Sequence, residues 1–345
     1  MIDKNEPISI SLEINNICNA DCTFCGYGKD GADPREKGKL YKSVFEKTLN
    51  LMSNSKVNIL DITPTLGEVG VDNRWLELVK EAKASEGVSI VRSYTNAINL
   101  HKFGFDKILN SGLDVLQLSS SLIDREMYKR LYGVDKYNQV IENILGICKR
   151  NYELGFPVDI SLNLRVDLPI NNFYKTEFYE EIRQYILNKK ITFLENYDDF
   201  NGLIGSNDLP INAKFASNQF LKNNDNLPCY QLYRAMQINY DGVIQGCACR
   251  VEPELWTDNI LDHKSIKSAW KNDKLENIRY QWMAENSIPE CCKTCMHYYP
   301  YTNLLEDSTK SVIKRYVLSM MKKLDIYKYY IYLNLWKQKS RNTNV

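Results

Sequence analysis

Cys18-Asn19-Ala20-Asp21-Cys22-Thr23-Phe24-Cys25 sets three thiols on one short loop, at C-x3-C-x2-C spacing. The run ahead of it, Ile8 to Ile14, alternates apolar and polar residues as a β-strand does. Three thiolates on so short a loop can converge on one face of an iron–sulfur cube, and a closed site would need a fourth. The cube would keep one iron open to a small molecule. That requirement constrains the fold, because the strand must end where a ligand can enter. A zinc site and buried structural cysteines are the competing readings of the spacing.

A chain of 345 residues can bury a large core, in one big domain or two smaller ones. Lys and Arg total 44 against 43 Asp and Glu, and the net charge of +1 gives no reason to expect a nucleic-acid partner. Ten cysteines in a small secreted protein would mean disulfides. Here the opening Met1-Ile-Asp-Lys-Asn-Glu6 is polar, and no signal peptide is recognisable. Clustered cysteines in a chain of this size read as metal ligands. No apolar stretch is long enough to span a bilayer. The expectation is a soluble protein of a reducing compartment, the cytoplasm.

From residue 7 to about 196, short apolar runs alternate with longer amphipathic ones. Strands are expected at Ile8–Ile14, Val57–Thr63, Val88–Thr95, Val115–Ser120, Val158–Val166 and Ile191–Glu195. Helices are expected at Tyr41–Met52, Asn73–Ala84, Tyr137–Tyr152 and Thr176–Asn188, where apolar residues recur at three-to-four spacing. Such alternation predicts an α/β fold of βαβ units around a parallel sheet, with too few strands for a closed eight-stranded barrel. Ligands of such sheets sit beyond the C-terminal strand ends, where the three-cysteine loop leaves the first strand. Gly, Asn and Pro mark 206–228 as a linker after a first domain, 1–205. A cysteine-rich α+β segment, 229–300, follows. The remainder, 301–345, contains a Tyr-, Leu- and Lys-rich stretch, Ser311–Ser340, expected as a helical tail. It would pack on the core with a basic solvated side, or meet a membrane surface or partner.

The three-cysteine loop resembles that of the radical S-adenosylmethionine (SAM) enzymes, in which an aromatic, here Phe24, precedes the third cysteine. The resemblance implies a partial (β/α)6 barrel, a [4Fe-4S] cluster on Cys18, Cys22 and Cys25, and exchangeable SAM on its open iron. Gly67-Glu68 stands where the family carries a Gly-Gly-Glu stretch for the SAM ammonium, with Leu66 in place of the first glycine. Thr95-Asn96-Ala97 resembles the family's Thr-Asn-Gly turn. Ser119 and Ser121 fall where the family contacts ribose or carboxylate, and turn or helix-cap chemistry is the other reading. Arg165 on the fifth strand is costly without a partner. Its candidate partners are the SAM carboxylate, a substrate anion and a structural carboxylate.

Met236 to Cys247 reads as a β-hairpin turning at Asp241-Gly242. Pro289-Glu-Cys-Cys292-Lys-Thr-Cys295 adds a C-x2-C knuckle. With Cys229 ahead of them, these segments resemble the auxiliary-cluster extension called SPASM, or twitch in its shorter form. The thiols of Cys229, Cys247, Cys249, Cys291, Cys292 and Cys295 fall short of two complete sets of four. One auxiliary [4Fe-4S] cluster on Cys229, Cys247, Cys292 and Cys295 is expected. Cys249 and Cys291 are possible substitutes, and the sequence leaves the choice open. Zinc fits the same spacing. Cys148, alone on an apolar helix, reads as a core residue.

The chemistry the resemblance implies is reductive cleavage of SAM to a 5′-deoxyadenosyl radical, which takes hydrogen from a substrate C–H bond. A fully ligated second cluster is suited to accept the electron left on the substrate, giving a two-electron oxidation. The expected substrate is a small polar metabolite such as a sugar or cyclitol alcohol, with flavodoxin or ferredoxin as electron donor. Peptide modification is the alternative, although the seventeen residues before Cys18 argue against a fused leader-binding domain. A non-catalytic iron–sulfur or zinc protein is the second alternative. Alcohol oxidation also needs a base. Asp198 and Asp199, near the sixth strand's end, are placed for that role or for capping the following loop.

Overall fold

The computed structural model describes residues 5–216, 227–299, 333–335 and 337–338. Strands β1 (Ser9–Leu12), β2 (Ile59–Ile62), β3 (Ile90–Thr95), β4 (Val115–Ser120), β5 (Asp159–Leu164) and β6 (Ile191–Phe193) lie side by side, all parallel. Helices α1 (Lys42–Ser53), α2 (Trp75–Ala84), α3 (Leu100–Phe103), α4 (Phe105–Leu109), α5 (Arg125–Tyr132), α6 (Tyr137–Glu153) and α7 (Glu177–Ile182) fill the crossovers. This is the parallel α/β sheet that the alternating pattern predicts, in the partial (β/α)6 barrel form that the family resemblance implies.

Strand alternation separates the two faces of this sheet. Leu12, Leu60, Val91, Leu116, Leu118 and Leu162 are fully buried in one core with Phe45, Trp75 and Ile144 of the helices. Each such side chain contributes about 1.5–3 kcal/mol of burial. Most of the intervening residues are polar, and cross-strand pairing sets them in rows. Ser11 lies beside Asp61 and Asp61 beside Arg92, while Tyr94, Gln117 and Ser161 form a second row. Arg92 holds Asp61 with two nitrogens, Nη2 lying 2.7 Å from Oδ2.

β4 runs over the expected Val115–Ser120, and the other barrel strands are shorter than the alternation suggests. β1 stops at Leu12 instead of Ile14 because its partner β2 ends at the matching Ile62. The helix expected over Thr176–Asn188 stops at Ile182, and a short 3-10 turn at Asn188–Lys190 brings β6 back to β5.

Strands β7 (Asn196–Tyr197) and β8 (Lys214–Phe215) pair only with each other among the described residues. The hairpin expected around Asp241-Gly242 is formed by β9 (Ala235–Ile238) and β10 (Val243–Gln245), and β11 (Trp256–Asn259) follows. β9 pairs in parallel with β1, so the sheet runs β11-β10-β9-β1-β2-β3-β4-β5-β6. The cysteine-rich segment therefore extends the barrel sheet. Helices α8 (Ile266–Trp270), α9 (Asp273–Glu285) and α10 (Glu290–Lys293) complete it. Leu232, Leu255, Trp282 and Tyr298 form a small second core around Cys229 and Cys292. Of the expected tail, only 333–335 and 337–338 lie within the described residues, as helix. Among the described residues, no helix is long and apolar enough to cross a membrane.

Candidate active site

The three-cysteine loop leaves the C-terminal end of β1 and is fastened on both sides. Asn15 turns it, its Oδ1 accepting from the Ile17 amide at 2.8 Å while its Nδ2 donates to the Glu68 carbonyl at 3.1 Å. The Glu68 amide returns a hydrogen bond to the Ile17 carbonyl at 2.8 Å. Across the loop, the Asp21 and Thr23 amides donate to the Tyr132 and Leu131 carbonyls at 3.1 and 3.0 Å, which ties the loop to the end of α5. The Cys25 amide closes a turn on the Cys22 carbonyl at 3.2 Å.

Burial pushes the Cys18 thiol up to about 12, with the Glu68 carboxylate adding to the rise. Burial likewise raises Cys22, where the neighbouring Cys25 and Cys18 thiols act in the same direction. Cys25 is raised by burial as well. These thiols lie within one another's electrostatic reach, and iron would draw off their protons. Among the described residues, no three His, Cys, Asp or Glu side chains sit close enough to hold a single ion. A four-iron cube takes each thiolate on a different iron, a wider set than a lone ion gathers.

Glu68 has both oxygens engaged within the protein. Oε1 accepts from the Gly70 amide at 2.8 Å and Thr95 Oγ1 at 2.5 Å, and Oε2 accepts from the Asn96 amide at 2.7 Å. Burial raises its pKa, and these hydrogen bonds pull it back. Glu68 and Thr95 therefore join the turns after β2 and β3, and a Cβ at the neighbouring Gly67 would stand 3.1 Å from the Asn15 carbonyl oxygen. Asn96 Nδ2 reaches the cysteine loop, 2.8 Å from Asn19 Oδ1 and 4.0 Å from Cys18 Sγ.

Phe24 is buried beneath Arg165, whose guanidinium carbon lies 4.9 Å from the ring centroid. Tyr132 and Tyr197 flank the same ring at 5.5 and 5.8 Å, and Tyr128 stacks on Tyr132 at 4.8 Å. Arg165 Nη1 donates to Ser119 Oγ. Its Nε is buried without a partner, as are the hydroxyls of Tyr128, Tyr197 and Ser121 and the Asn19 amide nitrogen. A buried polar group left unpaired costs about 1–3 kcal/mol. Several such groups gathered around Phe24 and the cysteine loop suit a polar ligand, and the donors match the carboxylate and hydroxyls of SAM.

Cys229, Cys247, Cys249, Cys292 and Cys295 line one cavity, closed by Leu232, Trp282, Tyr298 and His297. Cys291 is outside that lining, its amide held by Glu254 Oε2 at 2.9 Å. Burial pushes Cys229 up to about 11 and Cys295 to about 12. The hydrogen bond from Cys249 lowers Cys247. Gln245, fully buried, shapes this loop. Its Oε1 accepts from the Glu252 amide at 3.1 Å and Trp256 Nε1 at 2.9 Å, while Nε2 donates to the Arg250 carbonyl at 2.6 Å. Five thiols around one cavity with apolar walls fit an iron–sulfur cluster.

Asp198 and Asp199 are turned to this cysteine-rich side, and the expected base is not free there. Asp198 pairs through both oxygens with Arg250 and caps the Phe200 amide, while Asp199 caps the Asn201 amide. Arg250 and Gln245 carry no signal in the sequence beyond their nearness to Cys247 and Cys249.

Residues 229–296 match the SPASM family, an iron–sulfur cluster-binding domain. GTP 3',8-cyclase of Chlorobaculum tepidum is 27% identical over 55% of this chain and 54% of its own length. GTP 3',8-cyclase of Vibrio vulnificus is 25% identical over 47% of each. The chain thus spans about half the length of these curated relatives. Among solved structures, Streptococcus suis SuiB bound to precursor peptide SuiA superposes with a TM-score of 0.57 at 16% identity, covering 88% of this chain and 73% of SuiB. BtrN in complex with AdoMet and 2-DOIA gives 0.52 at 14% identity, covering 84% and 92%.

Proposed function

Starting from a chain that joins the radical SAM fold to a SPASM iron–sulfur cluster-binding domain, we propose that it cleaves SAM reductively and oxidises a small polar substrate by two electrons. A sugar or cyclitol alcohol is the substrate class. The observation that carries this reading is the cavity lined by five cysteines, where protein thiols can complete a second cluster. When bound, the two clusters and SAM supply hydrogen abstraction from an unactivated C–H bond and an acceptor for the second electron.

The residues divide the remaining work. Cys18, Cys22 and Cys25 hold the first cluster, and Asn96 directs its amide towards Cys18. Arg165, with Nε unpaired, orients the SAM carboxylate, while Phe24 and Tyr197 pack beneath it and exclude water. Cys229, Cys247, Cys292 and Cys295 hold the auxiliary cluster, with Cys249 as a fifth thiol at the same cavity. On the polar face of the sheet, Asp61 and Arg92 neutralise each other beside Ser11. Amides and hydroxyls such as Gln117, Ser161 and Asn163 then suit a hydroxyl-rich neutral substrate. An electron donor such as flavodoxin or ferredoxin is required for turnover.

A second reading, modification of a peptide, draws on the likeness to SuiB, solved with its precursor peptide. The test begins with anaerobic iron and sulfide counts on reconstituted protein beside a Cys18/Cys22/Cys25→Ala variant. About eight irons in the wild type and about four in the variant are expected. Cyclitols, peptides and GTP are then offered with SAM and reductant, and 5′-deoxyadenosine and product mass are read. A two-electron mass change on a cyclitol or sugar supports the proposal. About four irons in the wild type and none in the variant remove the electron acceptor, and the oxidation with it.

A further inference from the structure

Arg250 follows Cys249 directly, and its side chain is only 4% exposed. Its Nε donates to Asp198 Oδ2 at 2.7 Å, Nη2 to Asp198 Oδ1, and Nη1 to Asn201 Oδ1 at 2.5 Å. Asp199 Oδ1 lies 3.3 Å from Nη2, and Glu252 Oε1 3.8 Å from Nη1. Asp198, 2% exposed, also faces His297 Nε2 at 3.2 Å. Asn201 accepts in addition from Thr294 Oγ1 at 3.0 Å, beside Cys295. On the other side, Tyr197 precedes Asp198 in the chain and packs on Phe24. A packed line of residues therefore connects the three-cysteine loop to the second cavity, through Phe24, Tyr197, Asp198, Arg250 and Cys249.

A buried charge acts through a lower effective dielectric than water, so its field reaches its neighbours with little screening. The guanidinium belongs to the residue next to Cys249 and its partner Asp198 faces His297, and both Cys249 and His297 line the cavity. Reducing an iron–sulfur cluster adds negative charge, and a fixed cation beside it stabilises the reduced form.

We propose that Arg250 is a positioning residue that raises the reduction potential of the auxiliary cluster, and that Asp198 limits how much of that charge the cluster feels. This rests on reading the five-cysteine cavity as an iron–sulfur site. Arg250 thereby favours electron transfer into the auxiliary cluster, and the same ion pair anchors the cavity to the segment that carries Tyr197.

The test uses full-length protein in the Cys18/Cys22/Cys25→Ala background, so that the auxiliary cluster alone is read. Iron is counted, and the midpoint potential is followed by electron paramagnetic resonance during a redox titration. Arg250→Gln is expected to shift the potential downward and Asp198→Asn upward, with Arg250→Lys close to the parent. Opposite signs from the two halves of one ion pair are not a result that loosened packing alone would give. Shifts of the same sign, or none, in protein that retains its iron overturn the proposal and leave the cluster assignment standing. Absence of iron in the parent overturns both. If Arg250→Gln fails to fold, the upward shift in Asp198→Asn and the match of Arg250→Lys to the parent decide the matter.

Discussion

Gly133 ends α5 with φ +67, and a Cβ placed there would stand 2.3 Å from the Asp21 carbonyl oxygen. Asp21 lies between Cys18 and Cys22, so this glycine lets the helix end reach the cysteine loop. Gly133→Ala should cost about 1–3 kcal/mol in backbone strain. It should also lose the first cluster while keeping the second, read as iron falling from about eight to about four per chain. Ala97 presents the reverse case, a buried residue at φ 65 in the turn that follows β3. Ala97→Gly should relieve about 1–2 kcal/mol of left-handed strain against about 0.5–1 kcal/mol of added chain entropy, so the denaturant midpoint should rise slightly. The thiols make a pH prediction. Cys18 and Cys295 at about 12 and Cys229 at about 11 are protonated at neutral pH without iron. Loading releases those protons, so reconstitution should become more complete as pH rises from about 7 to about 9. A flat profile would count against thiolate ligation. The cysteine loops were legible in the sequence because their spacing is local. The Asp198–Arg250 pair was not, because it joins distant positions through residue types that ordinarily face water.

Among the elements, the pairing of β9 with β1 matters most. The alternation of short and long apolar runs was enough to predict the six barrel strands, since parallel sheets leave that signature. The extents were less legible, because a strand ends where its partner ends and the pattern of one strand does not record the other. The hairpin at Asp241-Gly242 was legible for its local turn chemistry. The neighbour it would choose was written nowhere near it. Without residues beyond 216, β1 would present Ser9–Leu12 as a bare edge. A chain cut there should aggregate, with its soluble fraction after sedimentation well below that of the full chain. An equally soluble fragment would show that β9 is dispensable for the barrel.

For the molecule as a whole, the two cysteine sites belong to one sheet. β1 carries the first at its C-terminal end, and the β9–β10 hairpin leads directly into Cys247. Neighbouring strands stand about 4.8 Å apart whatever their sequence. β10, which leads into Cys247, is thus held two strand spacings from β1 by hydrogen-bonded backbone. That pairing does not depend on the length of the stretch between residues 216 and 227, which can be rewritten without moving the hairpin from its place beside β1. Descendants of this architecture should therefore diverge most freely in that stretch, while the pairing of β9 with β1 stays constant.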